Sequence, residues 1–350
     1  MRIEQLTFTR FIAVIAIVFF HFGRTVFPFN IPALSFICSS AFVGVSYLYI
    51  LSGFVMVIAY QQKSADKIVL KPFYISRFAR VYPVYLLGLA FTFIYFVIER
   101  RIYNRADLLL SVFALQAWVP NYALSLNSPG WSVSVEIFFY LLFPFLFNYL
   151  YKKVVLKRLI LYTVLIWMLT QVLLNTGLHT SFYKGFPSAS HDLLYYFPLM
   201  HFNEFLTGNI TGFLFIQYKN NKIHPGKWVV LLLFMLSVIT VKYVTVLSNH
   251  DGLLAFLFAP MIYTLSLQKG WLKTYLSHRI FVWAGEISFA IFILQKPVFL
   301  FGRKYLPKMG LQSPDAQFYS LVAVLILLSS LVYFYFENPI RKKIVQLAAK

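Results

Sequence analysis

The sequence predicts an all-α polytopic membrane protein, because it is rich in apolar residues along its whole length. Of its 350 residues, 60% are hydrophobic and 12% are charged, and the mean hydropathy is +0.73. Soluble domains carry about 25% charged residues, so this composition excludes a cytosolic enzyme. The 31 Lys and Arg residues outnumber the 11 Asp and Glu residues, but they lie in short segments between apolar runs. That distribution indicates contact with membrane lipid and no nucleic-acid partner.

Ten apolar runs are predicted to cross the bilayer as helices, which need about 20 residues each. In chain order the runs cover residues 6–22, 41–60, 81–98, 131–150, 159–175, 193–217, 228–247, 253–267, 280–301 and 318–336. The run 108–119 ends before Pro120 and is short enough to form a re-entrant or interfacial helix. Residues 1–350 are interpreted as one integral-membrane domain.

Basic residues predict the orientation of these spans, since cytoplasmic loops carry an excess of Lys and Arg. With ten spans and a cytoplasmic amino terminus, the basic residues concentrate on the inside, as in the loop with Lys152, Lys153, Lys157 and Arg158. Counting 108–119 as an eleventh span would move every later loop to the other side and remove this bias. Both termini are therefore predicted to be cytoplasmic.

Titratable residues within apolar runs indicate function, because burying a charge in a membrane is costly. Arg10 and His21 lie eleven residues apart on the first span, which places them on one helix face about 16 Å apart along the axis. A snorkelling arginine and an interfacial histidine are the alternative interpretation. Arg77 and Arg80 lie one turn apart at the inner mouth of the third span, where two guanidinium groups suit phosphate. The topology rule alone also predicts basic residues there.

The fourth span opens with four residues at its predicted outer end, Trp131, Ser132, Ser134 and Glu136. A carboxylate at membrane depth needs a partner, and His21 and Lys296 are the candidates for Glu136. The serines are interpreted as acceptor contacts or as helix-capping groups, with capping favoured as their single role.

The remaining polar residues point away from metal chemistry. Cys38 is the single cysteine, so no intrachain disulfide forms, and no Cys/His spacing is typical of a metal site. His201 and Glu204, three residues apart, are predicted to form a structural hydrogen-bonded pair. No bound metal or cofactor is therefore expected.

Five motifs occur in a fixed order along the chain. They are R-x10-H with Arg10 and His21, LYILSGFVM with Ser52 and Gly53, R-x-x-R-x-x-P-x-Y from Arg77 to Tyr85, WSVSVEIFFYLLFP from Trp131 to Pro144, and the terminal FENPIRK. From residue 6 to about residue 343, the chain resembles the acyltransferase family 3 membrane O-acyltransferases. One position departs from the family, which usually has a histidine before the proline of the ninth span where this chain has Gln295. Glutamine cannot carry a proton at neutral pH, so Gln295 is given no catalytic role.

This resemblance implies an enzyme of the inner (cytoplasmic) membrane that transfers acyl groups other than aminoacyl groups. The donor substrate would be cytoplasmic acyl-CoA, most often acetyl-CoA, and the acceptor a hydroxyl of an extracytoplasmic carbohydrate. Polysaccharide O-acetylation in the cell envelope is the usual role, on lipopolysaccharide, capsule or exopolysaccharide, with polysaccharide assembly proteins as partners. A minority of the family acts on small molecules such as antibiotics or glycolipids.

The family's site residues map onto Arg10, His21, Arg77 and Arg80. Arg77 and Arg80 are expected to hold the phosphates of acyl-CoA. Arg10 is expected to contact its pantetheine arm and to belong with His21 and Glu136 to the catalytic group. His21 is expected to act as the general base.

Three further residues are expected to contact the acceptor, Trp131, Ser132 and Ser134. Glu136 is expected to stabilise the imidazolium of His21. Two alternatives stay open: a transporter or flippase of a glycan or lipid precursor, and an inactive scaffold within a polysaccharide assembly complex. The two halves of the chain show no matching pattern, which counts against a transporter.

Overall fold

The computed structural model describes residues 3–61, 67–221, 225–244 and 246–349. These residues are helical and contain no strand, which confirms the predicted all-α class. The α-helices are α1 (Thr7–Phe22), α2 (Pro32–Ser39), α3 (Val43–Gln61), α4 (Leu70–Ile98), α5 (Arg105–Val112), α6 (Trp131–Phe145), α7 (Leu156–Leu178), α8 (Ala189–Tyr195), α9 (Phe202–Tyr218), α10 (Lys227–Tyr243), α11 (Ala255–Ser266), α12 (Trp271–Leu276), α13 (Arg279–Tyr305), α14 (Pro314–Val332) and α15 (Asn338–Ala349). The chain ends at Met1 and Lys350 lie outside the described residues, so their cytoplasmic location stays a prediction.

Seven helical segments of the described chain are long and apolar enough to cross a membrane. They are Glu4–Phe22, Val43–Gln61, Leu70–Ile98, Ser128–Tyr151, Leu156–Leu178, Arg279–Tyr305 and Pro314–Ala348. Each overlaps one of the ten predicted runs, but Leu70–Ile98 begins eleven residues before the predicted start at residue 81, and Pro314–Ala348 ends twelve residues beyond the predicted end at residue 336. The other three runs contain shorter helices: α9 and α10 have 17 residues each and α11 has 12. The run 193–217 is interrupted at Pro198, which lacks the N–H that a continuous helix requires. The count of ten spans therefore stays a prediction.

The short run after α4 forms no spanning helix. Its α-helix, α5, has eight residues, which is about 12 Å of helix against a hydrocarbon core of about 30 Å. Tyrosine hydroxyls from α4 bond its last carbonyls: Tyr82 donates to Val112 O at 2.5 Å and Tyr85 donates to Ser111 O at 2.5 Å. The segment is thus anchored on α4 with these two backbone acceptors satisfied.

The contacts between Cα atoms divide the chain into two interleaved units. Unit one comprises Met1–Ala13, Phe42–Ile68 and Leu142–Gly285, and unit two comprises Val14–Ala41, Val69–Leu141 and Glu286–Lys350. Helices α1, α6 and α13 each contribute residues to both units. A single integral-membrane domain over residues 1–350 stays a prediction.

In unit one, α3 and α9 touch backbone to backbone. A Cβ atom on Gly53 would overlap the carbonyl oxygen of Phe205, and one on Gly208 would overlap the carbonyl oxygen of Ile50. Small residues that permit such close approach are a common device of membrane helix packing. This contact explains the glycine of the LYILSGFVM motif as a packing residue.

Candidate functional site

Arg77 and Arg80 lie one turn apart on α4, half-buried in unit two. The Arg77 guanidinium carbon lies 5.8 Å from the ring centres of both Phe73 and Tyr140. The charge of Arg80 acts on Tyr140 and on the carboxylate of Glu337. The predicted arginine pair is therefore arranged around the ring of Tyr140.

Glu136 joins this group through the same tyrosine. The Tyr140 hydroxyl donates a hydrogen bond to Glu136 Oε1 one turn earlier on α6, and the spacing of four residues brings the two side chains together. We name Arg77, Arg80, Glu136, Tyr140 and Glu337 the arginine–tyrosine cluster. The described residues record no contact between Glu136 and His21, so the role of Glu136 beside that histidine stays a prediction without a supporting contact.

Glu337 belongs to the terminal FENPIRK motif and is 5% exposed. Its electrostatic partners are Arg80, Arg341 and Glu286. Arg341 also donates a hydrogen bond to Asn338 Oδ1 at 3.0 Å. The motif thus brings a third arginine to the carboxylate that faces Arg80.

The start of α6 fixes the polar residues of the WSVSVE motif. A 3-10 turn over Ser128–Gly130 leads into half-buried Trp131. The Ser132 hydroxyl donates to Pro129 O at 2.9 Å. The Ser134 hydroxyl donates to the carbonyl of Ala114 and lies 3.3 Å from Gln116 Oε1. Ser134 therefore ties α6 to the segment after α5 instead of capping the helix.

His21 lies in the last turn of α1, with an exposed side chain. Its ring centre lies 5.0 Å from that of Phe20 and 5.9 Å from that of Phe22. The charges that act on its imidazole are those of Lys296 and Arg24. His21 and Lys296, the two predicted candidate partners of Glu136, thus interact with each other, and the pairing of either with Glu136 stays a prediction.

Packing between α1 and α13 produces this arrangement. The Phe22 ring stacks on that of Phe299, with centres 4.1 Å apart and planes at 5°. Arg303 Nη2 donates to Phe22 O at 2.9 Å. Lys296, Phe299 and Arg303 are spaced three and four residues apart, so they share one face of α13. That face carries Lys296 to the end of α1.

Gln295, the position that departs from the family pattern, is fully buried. Its Nε2 donates to Phe292 O at 2.8 Å, while Oε1 has no hydrogen-bond partner among the described residues. A side chain in this position packs inside the helix bundle of unit two. The absence of a catalytic role for Gln295 stays a prediction.

Arg10 belongs to unit one, whereas the other predicted site residues belong to unit two. Its charge acts on Tyr47, whose hydroxyl donates to Thr9 Oγ1 at 2.7 Å. The role of Arg10 toward acyl-CoA stays a prediction.

Comparison with known proteins identifies the family of the chain. A family model described as an acyltransferase domain matches residues 3–335. The chain belongs to acyltransferase family 3. Acyltransferase MdmB of Streptomyces mycarofaciens is 29% identical over 153 residues, which cover 41% of this chain and 38% of that relative, less than two thirds of its length. No solved structure matches the chain. The chain is thus a family 3 protein whose described residues contain seven candidate membrane spans.

A second cluster of polar residues lies in unit one. His201 Nδ1 and Glu204 Oε2 are 2.9 Å apart, which confirms the predicted pair, and Asp251 Oδ1 is 3.5 Å from the same nitrogen. No group of His, Cys, Asp and Glu in the described ranges could hold a metal ion. Burial raises the pKa of Asp251 to about 7; the charge of Glu204 adds to this rise, whereas His201 opposes it.

Sequence reasoning missed three residues of the candidate site. Tyr140 stands four residues after Glu136, and this spacing on one helix was the signal that could have found it. Glu337 and Arg341 lie in the terminal FENPIRK motif, which contributes to the family resemblance but assigns neither residue a role. No local pattern connects them with Arg80, because more than two hundred residues separate these positions in the chain.

Proposed function

We propose that this membrane acyltransferase moves an acyl group, with acetyl favoured, from cytoplasmic acyl-CoA to a hydroxyl of an extracytoplasmic glycan. Lipopolysaccharide, capsule and exopolysaccharide are the acceptors we favour, and the inner membrane is the location. Membership of acyltransferase family 3 is the observation that carries the reaction class. The arginine–tyrosine cluster supports a phosphate-bearing donor.

The donor phosphates would bind to Arg77 and Arg80. Arginine offers planar, paired donors that match phosphate oxygens. Contacts of Arg77 with aromatic rings, worth about 0.5–1 kcal/mol at exposed sites, and the charge of Glu337 beside Arg80 would hold the two guanidinium groups in place. Arg10 is proposed to contact the pantetheine arm.

His21 would act as the general base in the transfer step. The acceptor hydroxyl gives its proton to the imidazole as its oxygen attacks the thioester carbonyl. The carbon–sulfur bond then breaks, and the imidazolium returns the proton to the CoA thiolate. An acyl-His21 intermediate would lead to the same products. Among the predicted acceptor contacts we retain Trp131, since the hydroxyls of Ser132 and Ser134 are buried and hydrogen-bonded.

The test is acceptor-dependent release of free thiol from acetyl-CoA by the purified protein in detergent. We expect His21→Ala to lower the rate by about 10²- to 10⁴-fold, the usual contribution of a general base, with unchanged affinity for acetyl-CoA. His179→Ala is the matched control, because His179 is an exposed histidine that contacts the carbonyl of Asn175.

Two outcomes would overturn the proposal. No thiol release with several acyl donors and sugars would favour a transporter or flippase. Full complementation of a glycan defect by the His21→Ala chain would favour an inactive scaffold. Mass spectrometry of the surface polysaccharide with and without the protein would identify the donor group and its target together.

A further inference from the structure

Positive charge collects around His21 without a matching carboxylate. The imidazole is influenced by Lys296 and Arg24, and Lys296 is in turn influenced by Arg101. We name His21, Arg24, Arg101 and Lys296 the histidine–lysine cluster. In the described part of the chain, no ion pair includes Arg24, Arg101 or Lys296.

The nearest acid in sequence is already occupied. Glu99 precedes Arg101 by two residues, but it forms an ion pair with Lys304 and lies 3.4 Å from the hydroxyl of Tyr305. In the described part of the chain these cations therefore form no ion pair with a carboxylate, and their positive charges repel one another. A bound anion relieves such repulsion and is attracted by the summed potential.

Packing contacts hold two of these cations, Lys296 and Arg101, in place. On α13, Lys296 lies one turn before Phe299, whose ring stacks on Phe22 beside His21. This contact fixes the face of α13 that carries Lys296.

Arg101 is held by the end of α4. The chain turns at Arg100, whose φ of 51° is unusual for a residue with a side chain, and the Arg101 N–H bonds Phe96 O at 2.9 Å. The Arg101 guanidinium carbon then lies 5.6 Å from the ring centre of Tyr95, and that ring lies 5.0 Å from the ring of Phe301 on α13.

The histidine–lysine cluster is also distinct from the arginine–tyrosine cluster. Arg80 lies near the start of α4, and Arg101 lies just beyond its last residue, Ile98. The 18 residues from Arg80 to Ile98 span about 27 Å of helix. Donor phosphates held by Arg77 and Arg80 would therefore not neutralise Lys296.

We propose that Lys296, Arg101 and Arg24 bind a carboxylate or phosphate group of the carbohydrate acceptor, so that the preferred acceptor is an acidic glycan. The anionic group would place a neighbouring hydroxyl against His21. Lysine and arginine form charge-assisted hydrogen bonds with both groups, which are stronger than neutral ones. This inference rests on the proposed function, because it names the acceptor class of the same reaction.

Binding of a uronic-acid oligosaccharide tests the proposal without any turnover. The probe is tetragalacturonate, compared with its fully methyl-esterified and therefore neutral form, titrated into the full-length protein in a neutral detergent. We expect the acidic form to bind about tenfold more tightly, a difference that corresponds to about 1.4 kcal/mol, and to weaken at raised salt. Equal affinity for both forms would overturn the proposal.

Three substitutions sharpen this measurement. Lys296→Gln should weaken tetragalacturonate binding about fivefold to tenfold, and Lys296→Arg should retain it because the charge is kept. Lys308→Gln is the matched control: Lys308 follows α13 at the same end, with its ammonium 5.5 Å from the ring centre of Tyr305. An equal loss for Lys296→Gln and Lys308→Gln, or a loss for Lys296→Arg that matches Lys296→Gln, would overturn the assignment to Lys296.

Kinetics separate an anion site from help in the chemical step. With galacturonate and galactose as acceptors, Lys296→Gln should raise KM for galacturonate more than KM for galactose, because only galacturonate carries a negative charge; an effect on His21 would alter kcat for both sugars alike. An unchanged ratio of the two KM values with an equal fall in kcat for both sugars would assign Lys296 to the chemical step and reject the anion site. In nanodiscs, loss of tetragalacturonate binding with phosphatidylglycerol but not with phosphatidylcholine would assign the cations to lipid headgroups and also reject it.

Failure of this inference and failure of the proposed function remain distinguishable. Acetyl transfer to neutral sugars without tetragalacturonate binding would keep the function and reject the anion site. Binding that depends on Lys296 without thiol release on any acceptor would keep the site and reject the function.

Discussion

Arg77 and Arg80 lie one turn apart, but their surroundings differ. Arg77 lies against aromatic rings, whereas Arg80 faces the carboxylate of Glu337. Glu337 compensates part of the charge of Arg80. At the residue scale, Arg77 and Arg80 together are the candidate for direct phosphate contact.

Loss of both arginines should weaken acyl-CoA binding. We expect the Arg77→Ala/Arg80→Ala double variant to bind at least about tenfold more weakly, since a hydrogen bond to a charged group contributes about 1.5–3 kcal/mol. The difference from the wild type should shrink at raised salt, because salt screens the wild-type attraction. Calorimetric titration with acetyl-CoA measures both effects. Arg158→Ala, an exposed arginine on α7, is the control, and unchanged affinity in the double variant would remove the phosphate role.

Asp251 should make stability depend on pH. Its pKa is about 7 in the folded chain because of burial, against about 3.9 for an exposed aspartate. The folded state therefore binds more protons than the unfolded state between these values, so the free energy of unfolding falls as pH rises from about 4 to about 7 and then levels off. Asp251→Asn should remove this decline.

The measurement is the difference in Tm between Asp251→Asn and the wild type. The Tm of the variant minus that of the wild type should rise from about pH 5 to about pH 8. His201 and Glu204 are present in both chains, but the charge of Asp251 also acts on His201 at 3.5 Å, so the change in Tm reports this coupled pair. A difference that is flat over this range would show that Asp251 is already ionised at low pH in the folded chain.

At the element scale, the contact between α3 and α9 predicts that no side chain larger than that of glycine fits at position 53. Gly53→Ala should destabilise the protein by about 1–3 kcal/mol, the usual cost of overpacking, because the new methyl group meets the backbone of Phe205 and backbone cannot rotate away. Thermal unfolding in detergent measures the change. Gly226→Ala is the control, since no atom lies within 4 Å of a Cβ there. A Tm equal to that of the control would contradict the close packing.

Sequence reasoning succeeded best with long, uniformly apolar helices. A spanning helix needs about 20 apolar residues, a requirement that is visible in composition alone, and seven predicted runs met it. The run 193–217 was harder to interpret, because Pro198 interrupts it and because α9 carries the buried polar residues Asn203, Glu204 and Asn209. Asn203 Nδ2 donates to Asp251 O at 3.1 Å, a tertiary hydrogen bond that no local window contains.

At the scale of the whole molecule, the predicted topology places Lys153 in the cytoplasm and Lys308 outside. A membrane-impermeant thiol reagent should label Lys308→Cys in intact cells and Lys153→Cys only after permeabilisation, since basic loops stay inside. The unsubstituted chain is its own control, because its Cys38 is buried. Labelling of Lys153→Cys in intact cells would reverse the orientation or change the number of spans between these residues.

The candidate site likewise contains residues that local sequence patterns predict and residues that only packing between elements brings together. Arg77, Arg80 and the R-x10-H pair were visible because helix periodicity relates residues a few turns apart. The partner of Glu136 and the cations beside His21 depend on packing between elements. Lys296 lies near His21 because α13 packs on the end of α1, where Phe22 stacks on Phe299. Helix periodicity does not predict such packing.

The contact between Gly53 and α9 also dictates the order of assembly. Roughly 150 residues of chain separate α3 from α9, and at about 5–20 residues per second their synthesis takes on the order of ten seconds. During that time the face of α3 that carries Gly53 has no α9 to pack against. Completion of unit one is therefore a post-insertion event, and a nascent chain that is released before α9 emerges leaves a helix for quality-control proteases to recognise.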